Sequence, residues 1–395
     1  MTIFESFKEA LQTSTRTDLL FYGAAFIGSF IICLVLIPVI IKLSVKHNLL
    51  DKPNERKVHK SPISRLGGFG IVAGLLSTSA FWFFSGNISL LIYLLAGIFI
   101  LLIIGIIDDL KELSPRIKFI GQILAALLMA YAGLRINNLF GVFGIHDLPV
   151  FVQYLLTVFI VVGLINAYNL IDGIDGLAGG LALIDMVFFF VLFLISNEIT
   201  FVLIMASTAG ALLAFLKFNW NPARIFMGDT GSMVLGFLLS AAGIKLMVSC
   251  QASSVHFTYS AAAIMAFSIF LLPVYDLLRV SVGRIIQRKS PFSADKTHVH
   301  HLLMDTGLNH KKSAKILYVA NIAIIVTGFL LRTEHFGVVA PLLFLEGALF
   351  MEFLTLYKIF KTWLKIRKIS NKTLRMKVDN RLLIDNIEEK DERTK

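Results

Sequence analysis

Most of this 395-residue chain is taken up by about eleven apolar runs, each roughly the length that crosses a bilayer as a helix. They lie near 20–42, 67–85, 88–107, 117–134, 151–170, 177–195, 199–217, 231–249, 258–278, 314–331 and 336–357. Lipid offers no partner for backbone polar groups, so such runs must close their hydrogen bonds internally. The expected fold is therefore an all-α integral membrane protein of about eleven transmembrane helices. Composition agrees: 16% of residues are charged, against roughly 25% in soluble domains, and the mean hydropathy is +0.78. A soluble globule cannot cover that much apolar surface with so few charges, and intrinsic disorder is excluded by the same numbers. The first run is too long for a signal-peptide core and no small-residue cleavage site follows it, so it reads as a helix. Cys33 and Cys250 both sit in apolar runs and read as core residues rather than a disulfide framework.

Orientation follows from where the loop cations fall. Lys46, Lys52, Arg56, Lys57, Lys60 and Arg65 follow the first run; Lys111, Arg116 and Lys118 follow the third; Lys217 and Arg224 follow the seventh. Arg279, Arg284, Arg288, Lys289, Lys296, Lys311, Lys312 and Lys315 follow the ninth. The alternate connections carry only Arg135 and Arg332, and the turns near Gly86, Asn197 and Ser254 carry no Lys or Arg. These charges place the odd-numbered connections and the C-terminus in the cytoplasm, with the N-terminus outside. The formal charge of +11 thus reports membrane orientation and not nucleic-acid binding.

The pattern predicts one polytopic membrane domain over 1–357 and a basic cytoplasmic tail over 358–395. That tail holds twelve Lys/Arg against six Asp/Glu, which suits an anionic inner leaflet. One external segment, Arg135–Val150, alternates loosely and reads as a short hairpin or an interfacial helix.

Polar groups concentrate at the cytoplasmic ends of the runs. Asp108 and Asp109 end the third. Like charges side by side at a helix C-terminus oppose the helix dipole, so either water solvates them or a cation meets them; Glu112 and Lys118 lie one and two turns on. Asn166, Asn169 and Asp172 share one helical stripe at i, i+3, i+6, followed by Gly173, Asp175 and Gly176. Oxygens on a stripe otherwise made of Val, Ile and Leu are costly unless something polar meets them. Asp229 stands between Gly228 and Gly231 before the eighth run. N-capping alone explains an Asp there, while an acidic turn beside glycines also suits Mg²⁺ next to phosphate. Phe226 on the same loop offers a stacking face for a flat base. His298, His300 and His301 follow the ninth run, with no spacing that suits a closed zinc site; with Lys296 alongside, these imidazoles suit a diphosphate better. A transporter is expected to carry charges or broken segments at mid-membrane, whereas the carboxylates singled out here lie at helix ends on one side.

Together these motifs resemble the polyprenyl-phosphate N-acetylhexosamine-1-phosphate transferases. The likeness covers almost the whole chain: Asp51-x-Pro53-Asn54-x-x-Lys57-x-His59 with Gly67-Gly68, the Asp108-Asp109 pair, Asn166–Gly176, Phe226–Ser232 and His298-x-His300-His301. The His-x-His-His form is similar to the bacterial undecaprenyl-phosphate N-acetylglucosaminyl-1-phosphate transferases rather than to the muramoyl-pentapeptide enzymes, which carry three consecutive histidines. Glu112 departs from the usual Asp of the aspartate-rich motif.

The resemblance implies an enzyme of the bacterial cytoplasmic (inner) membrane, its active site facing the cytoplasm. It would transfer N-acetylhexosamine-1-phosphate, with GlcNAc-1-phosphate the leading donor group, from a UDP-sugar to undecaprenyl phosphate and release UMP. This is a first membrane step of cell-envelope glycan synthesis, such as O-antigen for lipopolysaccharide. It implies Asn169 and Asp229 on a Mg²⁺ ion (Mn²⁺ as an alternative), Phe226 stacked on uracil and Asp175 at the uracil edge, with Asp172 also on substrate. It implies Lys118 facing the phosphates or the acceptor, and His298, His300 and His301 at the diphosphate and sugar. Asp108 and Asp109, with Asp229, form the implied catalytic set, acting as base, nucleophile or orienting charge. Another donor (UDP-FucNAc, UDP-QuiNAc or UDP-MurNAc-pentapeptide) and a homodimer stay open.

Overall fold

The computed structural model describes residues 16–51, 62–82, 88–252, 257–289 and 297–392. Its helices, in chain order, are α1 (Arg16–Lys46), α2 (Gly67–Ser77), α3 (Ser79–Trp82), α4 (Ile88–Lys111), α5 (Pro115–Tyr131) and α6 (Val150–Ile171). There follow α7 (Leu177–Ile195), α8 (Ile199–Asn219), α9 (Gly228–Ala252), α10 (Tyr259–Ile286), α11 (Val299–Asp305), α12 (His310–Leu330) and α13 (Phe336–Glu392). Every expected apolar run falls on a helix, and the described residues contain only isolated β-bridges.

Among the described residues, nine helices are long and apolar enough to cross a membrane. The run expected at 67–85 is not one continuous helix: α2 has 11 residues and stops at Thr78. There the Thr78 hydroxyl turns back to the Leu75 carbonyl and across to Ser207 Oγ, 2.7 Å away. α5 has 17 residues, opened by Pro115 at its first position, where the missing N–H costs nothing. α13 runs for 57 residues, far past the 336–357 span into the tail. Segment 135–150 forms a hairpin-like turn, with an Asn138–Asp147 bridge and a 3₁₀ turn over Val142–Gly144.

α8, α9 and α10 form the centre. In α8 83% of the most apolar window is buried, against 28% in α1 and α13, which therefore present most of their apolar surface outward. α9 packs against α4, α6 and α10, and α8 against α1 and α7. Small residues let these helices touch: a Cβ on Gly105 would lie 2.4 Å from the Thr230 Cα, and one on Gly68 would lie 2.1 Å from the Gly231 nitrogen. Cys33 is fully buried and Cys250 only partly.

Not every acidic group lies at a helix end: Asp185 and Asp276 are buried within α7 and α10. Asp185 lies inside α7, fully buried. It accepts hydrogen bonds from the Tyr168 hydroxyl of α6 and, at 2.8 Å, from Asn321 Nδ2 of α12. It therefore ties three helices together within the apolar core. A buried carboxyl survives there only because both oxygens are met.

Candidate active site

The C-terminal ends of α4 and α6, the N-terminal ends of α2 and α9, and α11 meet at one end of the bundle. The 219–228 loop is held there by backbone pairing. Phe226 N donates to the Ser64 carbonyl at 2.8 Å, Gly67 N to the Phe226 carbonyl at 2.9 Å and Gly68 N to the Met227 carbonyl at 2.8 Å. Gly228 adopts φ +69°, and a Cβ on it would meet the Arg65 carbonyl at 2.2 Å and the Asp109 carboxylate at 2.6 Å. Glycine is required there on both counts.

This turn aims the first N–H groups of α9 at α4. Asp109 Oδ1 accepts from Asp229 N at 2.8 Å, and Asp109 Oδ2 accepts from Thr230 N at 3.1 Å and Thr230 Oγ1 at 2.6 Å. The carboxylate that caps α9 is thus Asp109, from another helix, and not Asp229. Asp229 is left free to meet Lys118, whose Nζ lies 2.8 Å from Asp229 Oδ2 and 3.2 Å from Asp108 Oδ2. Asp108 Oδ1 takes the Leu113 N–H at 2.7 Å, which finishes α4.

A cavity of about 360 Å³ opens beside this cluster. Its wall includes Asp109, Asn169, Asp172, Asp175, Phe226, Asp229, His300 and His301, all expected from sequence, together with Asp51, Arg65 and His310. Lys118 and Asp108 stand just behind the wall, and His298 does not line it. Asn169 Nδ2 donates to Ser232 Oγ at 2.9 Å and also bonds the Asp229 carboxylate. Asp175 is held rigidly: Oδ2 accepts from Asn221 Nδ2 at 2.8 Å and Ala223 N at 3.1 Å, and Oδ1 lies 3.3 Å from His310 Nδ1. Residues 52–61 and 290–296 lie outside the described residues, so Pro53, Asn54, Lys57, His59 and Lys296 are not placed.

The titratable groups of the cavity wall differ according to their surroundings. Burial, with the charges of Asp229, Asp109 and Asp175, pushes the Asp172 carboxyl up to about 7. Burial also acts on Asp175, but the bonds from His310, Asn221 and Ala223 outweigh it and hold that carboxyl below its ordinary value. Burial and the neighbouring His301 push the His300 imidazole down to about 3, so it is neutral at pH 7.

Oxygens of Asp108, Asp109 and Asp229 lie within 4.8 Å of one another. Hard carboxylate oxygens at that spacing, with a lysine ammonium already seated between two of them, fit a divalent cation of the Mg²⁺ type.

The family model for glycosyl transferase family 4 matches residues 91–247. The chain is 31% identical over 314 residues to a probable undecaprenyl-phosphate N-acetylglucosaminyl 1-phosphate transferase of Bacillus subtilis, covering 78% of this chain and 84% of that one. The chain belongs to this transferase family. A Salmonella typhimurium relative, an undecaprenyl-phosphate alpha-N-acetylglucosaminyl 1-phosphate transferase, is 29% identical across 86% of this chain and 92% of its own length. A decaprenyl-phosphate N-acetylglucosaminephosphotransferase of Mycolicibacterium smegmatis is 32% identical across 70% of this chain and 74% of its own. The transferase is thus a membrane enzyme that moves a sugar phosphate onto a polyprenyl phosphate.

Two residues of its cavity wall, Arg65 and His310, and the buried Asp276 behind it are not among the residues that the sequence assigns to the site. From sequence Arg65 reads only as an orienting charge, although its place two residues before Gly67-Gly68 is a usable signal. His310, at the start of α12, and Asp276, within the apolar α10, sit in contexts that carry no motif.

Proposed function

We propose that the transferase moves N-acetylglucosamine-1-phosphate from UDP-N-acetylglucosamine to undecaprenyl phosphate at the cytoplasmic face of a bacterial inner membrane, releasing UMP. The observation that carries this reading is the convergence of Asp109, Asn169, Asp172, Asp175, Phe226, Asp229, His300 and His301 on one cavity at the end of the bundle. The loops that build it, the 172–176 turn apart, are those rich in Lys and Arg, which supports a cytoplasmic site. The named activities of the relatives support the sugar and the lipid class.

An oxygen of the lipid phosphate attacks the β-phosphorus of the donor; the new P–O bond forms as the bond to the bridging α–β oxygen breaks and UMP leaves with that oxygen. Such a transfer depends on in-line positioning and charge neutralisation more than on covalent chemistry. A phosphate monoester has a second pKa near 6 and is already mostly ionised at pH 7, so a general base adds little. Asp229 and Asn169, with Asp109 behind them, would hold Mg²⁺, which when bound supplies charge neutralisation at the diphosphate. Phe226 offers its ring to the uracil, and Asp175, fixed by Asn221 Nδ2 and Ala223 N, is set to accept from the edge of the base. Lys118 and Arg65 bring permanent positive charge to the phosphates, while neutral His300 can bond them without adding charge.

The test is a membrane assay with radiolabelled UDP-sugars and undecaprenyl phosphate. UDP-N-acetylglucosamine should give a chloroform-soluble product, EDTA should stop it, and Asp229→Asn should abolish it while expression is unchanged. A lipid product from a different UDP-sugar alone, or full activity in EDTA, overturns the reading.

A further inference from the structure

Asp276 lies in α10, three residues beyond Pro273, with 2% of its surface exposed. Its Oδ2 is 2.9 Å from His298 Nδ1, and its Oδ1 accepts from Val299 N at 2.9 Å and Arg279 Nη2 at 3.0 Å. The Arg279 guanidinium also donates to the Thr297 carbonyl. One buried carboxylate thus grips the start of α11: it caps the first N–H of that helix and clamps the imidazole just before it. A carboxylate on Nδ1 fixes both the ring orientation and the nitrogen that carries the proton.

His298 itself is 5% exposed and off the cavity wall. Its ring stacks parallel to that of His300, with centroids 5.9 Å apart and planes 3° from parallel. His300 in turn abuts Gly173, where a Cβ would lie 2.1 Å from the imidazole Nε2. The order of support is therefore Asp276, His298, His300, then the cavity. A charge this deeply buried is costly unless it is fully paired, and here every pairing serves to place α11.

Building on the assignment of this cavity as the transfer site, we infer that Asp276 and His298 are a positioning pair that docks α11 onto α10 and holds His300 and His301 in the cavity wall. His298 does not touch substrate. The His-x-His-His motif is thereby divided: its first member is anchored to the scaffold and the other two face the reaction.

The test uses the full chain in detergent with His298→Asn, His298→Gln, His298→Ala and Asp276→Asn, each checked for wild-type elution on size exclusion. An Asn amide reaches the place of Nδ1 and can still donate to Asp276, whereas a Gln amide reaches the place of Nε2. The Ala, Gln and Asp276→Asn variants should lose roughly 10–100-fold in kcat/KM, as losses of positioning partners do, and His298→Asn should recover most of that loss. Tryptic cleavage at Arg288 and Lys289, at the end of α10, should quicken several-fold in the inactive variants and stay at the wild-type rate in His298→Asn. If His298→Asn is as inactive as His298→Ala, or the cleavage rate of Asp276→Asn and His298→Ala matches wild type, the positioning role is wrong. Should the wild-type chain transfer no sugar phosphate, the assigned reaction fails instead, and the cleavage rates alone decide the pair.

Discussion

Asp109 Oδ2 accepts both the backbone N–H and the hydroxyl of Thr230, at 3.1 and 2.6 Å, so the end of α4 is fastened to the beginning of α9. The second carboxylate of the aspartate pair is in this way a helix cap as well as a wall of the cavity. Asp109→Asn should therefore lose stability and turnover together, at a cost of about 1–2 kcal/mol in stability by analogy with lost caps. Asp108→Asn, which keeps an acceptor for Leu113 N, should lose turnover with a much smaller drop in melting temperature. Thermal unfolding beside the transfer assay separates the two; equal melting temperatures would deny the capping role.

Lys118 bridges Asp108 and Asp229 and so occupies the space between two of the three carboxylates that could hold a cation. Replacing it with Met should cut turnover by roughly 100-fold, the scale expected when a charge aimed at a developing phosphate charge is removed. The same change leaves the carboxylates unneutralised, so Mg²⁺ alone should raise the melting temperature of Lys118→Met more than that of wild type. A smaller Mg²⁺-induced shift in the variant would show that Lys118 does not compete for the site.

Arg65 lines the cavity with its Nη2 3.0 Å from Asp51 Oδ1. Arginine pairs bidentately with phosphate in a way that lysine cannot. Arg65→Ala should lower kcat/KM by about tenfold or more, and Arg65→Lys should recover only part of that. Wild-type kinetics in Arg65→Ala would leave the residue as an ion-pair partner of Asp51 and Glu112.

Asp172 provides a pH test. Its carboxyl sits at about 7 in the fold, against about 3.9 in an unfolded chain. Between those values the folded state holds a proton that the unfolded state has released, so stability falls as pH rises toward 7 and levels above it. Melting in EDTA should therefore drop between pH 5 and pH 8 by more in the wild type than in Asp172→Asn. An identical pH dependence in the two proteins would mean that Asp172 ionises normally.

Crossing a bilayer is a local requirement, met by about 20 apolar residues wherever they occur, so the expected runs are legible and fall on helices, although the one at 67–85 is broken at Thr78 and nine of the described helices are long enough to span. The expected gathering of Asp109, Asn169, Asp172, Phe226, Asp229 and His300 was legible for a related reason: polar groups stand out at the ends of apolar runs. What the sequence left undetermined is which side chains meet. Asp108 and Asp109 are adjacent in the chain, yet one joins Lys118 and the other caps α9. His298 and His300 belong to one motif, yet one is clamped by Asp276 behind the wall and the other faces the cavity. These outcomes depend on contacts between distant helices at Gly68 and Gly231, Gly105 and Thr230, and Gly173 and His300. Side-chain shape sets how closely those helices approach, and no periodicity along a single helix records it.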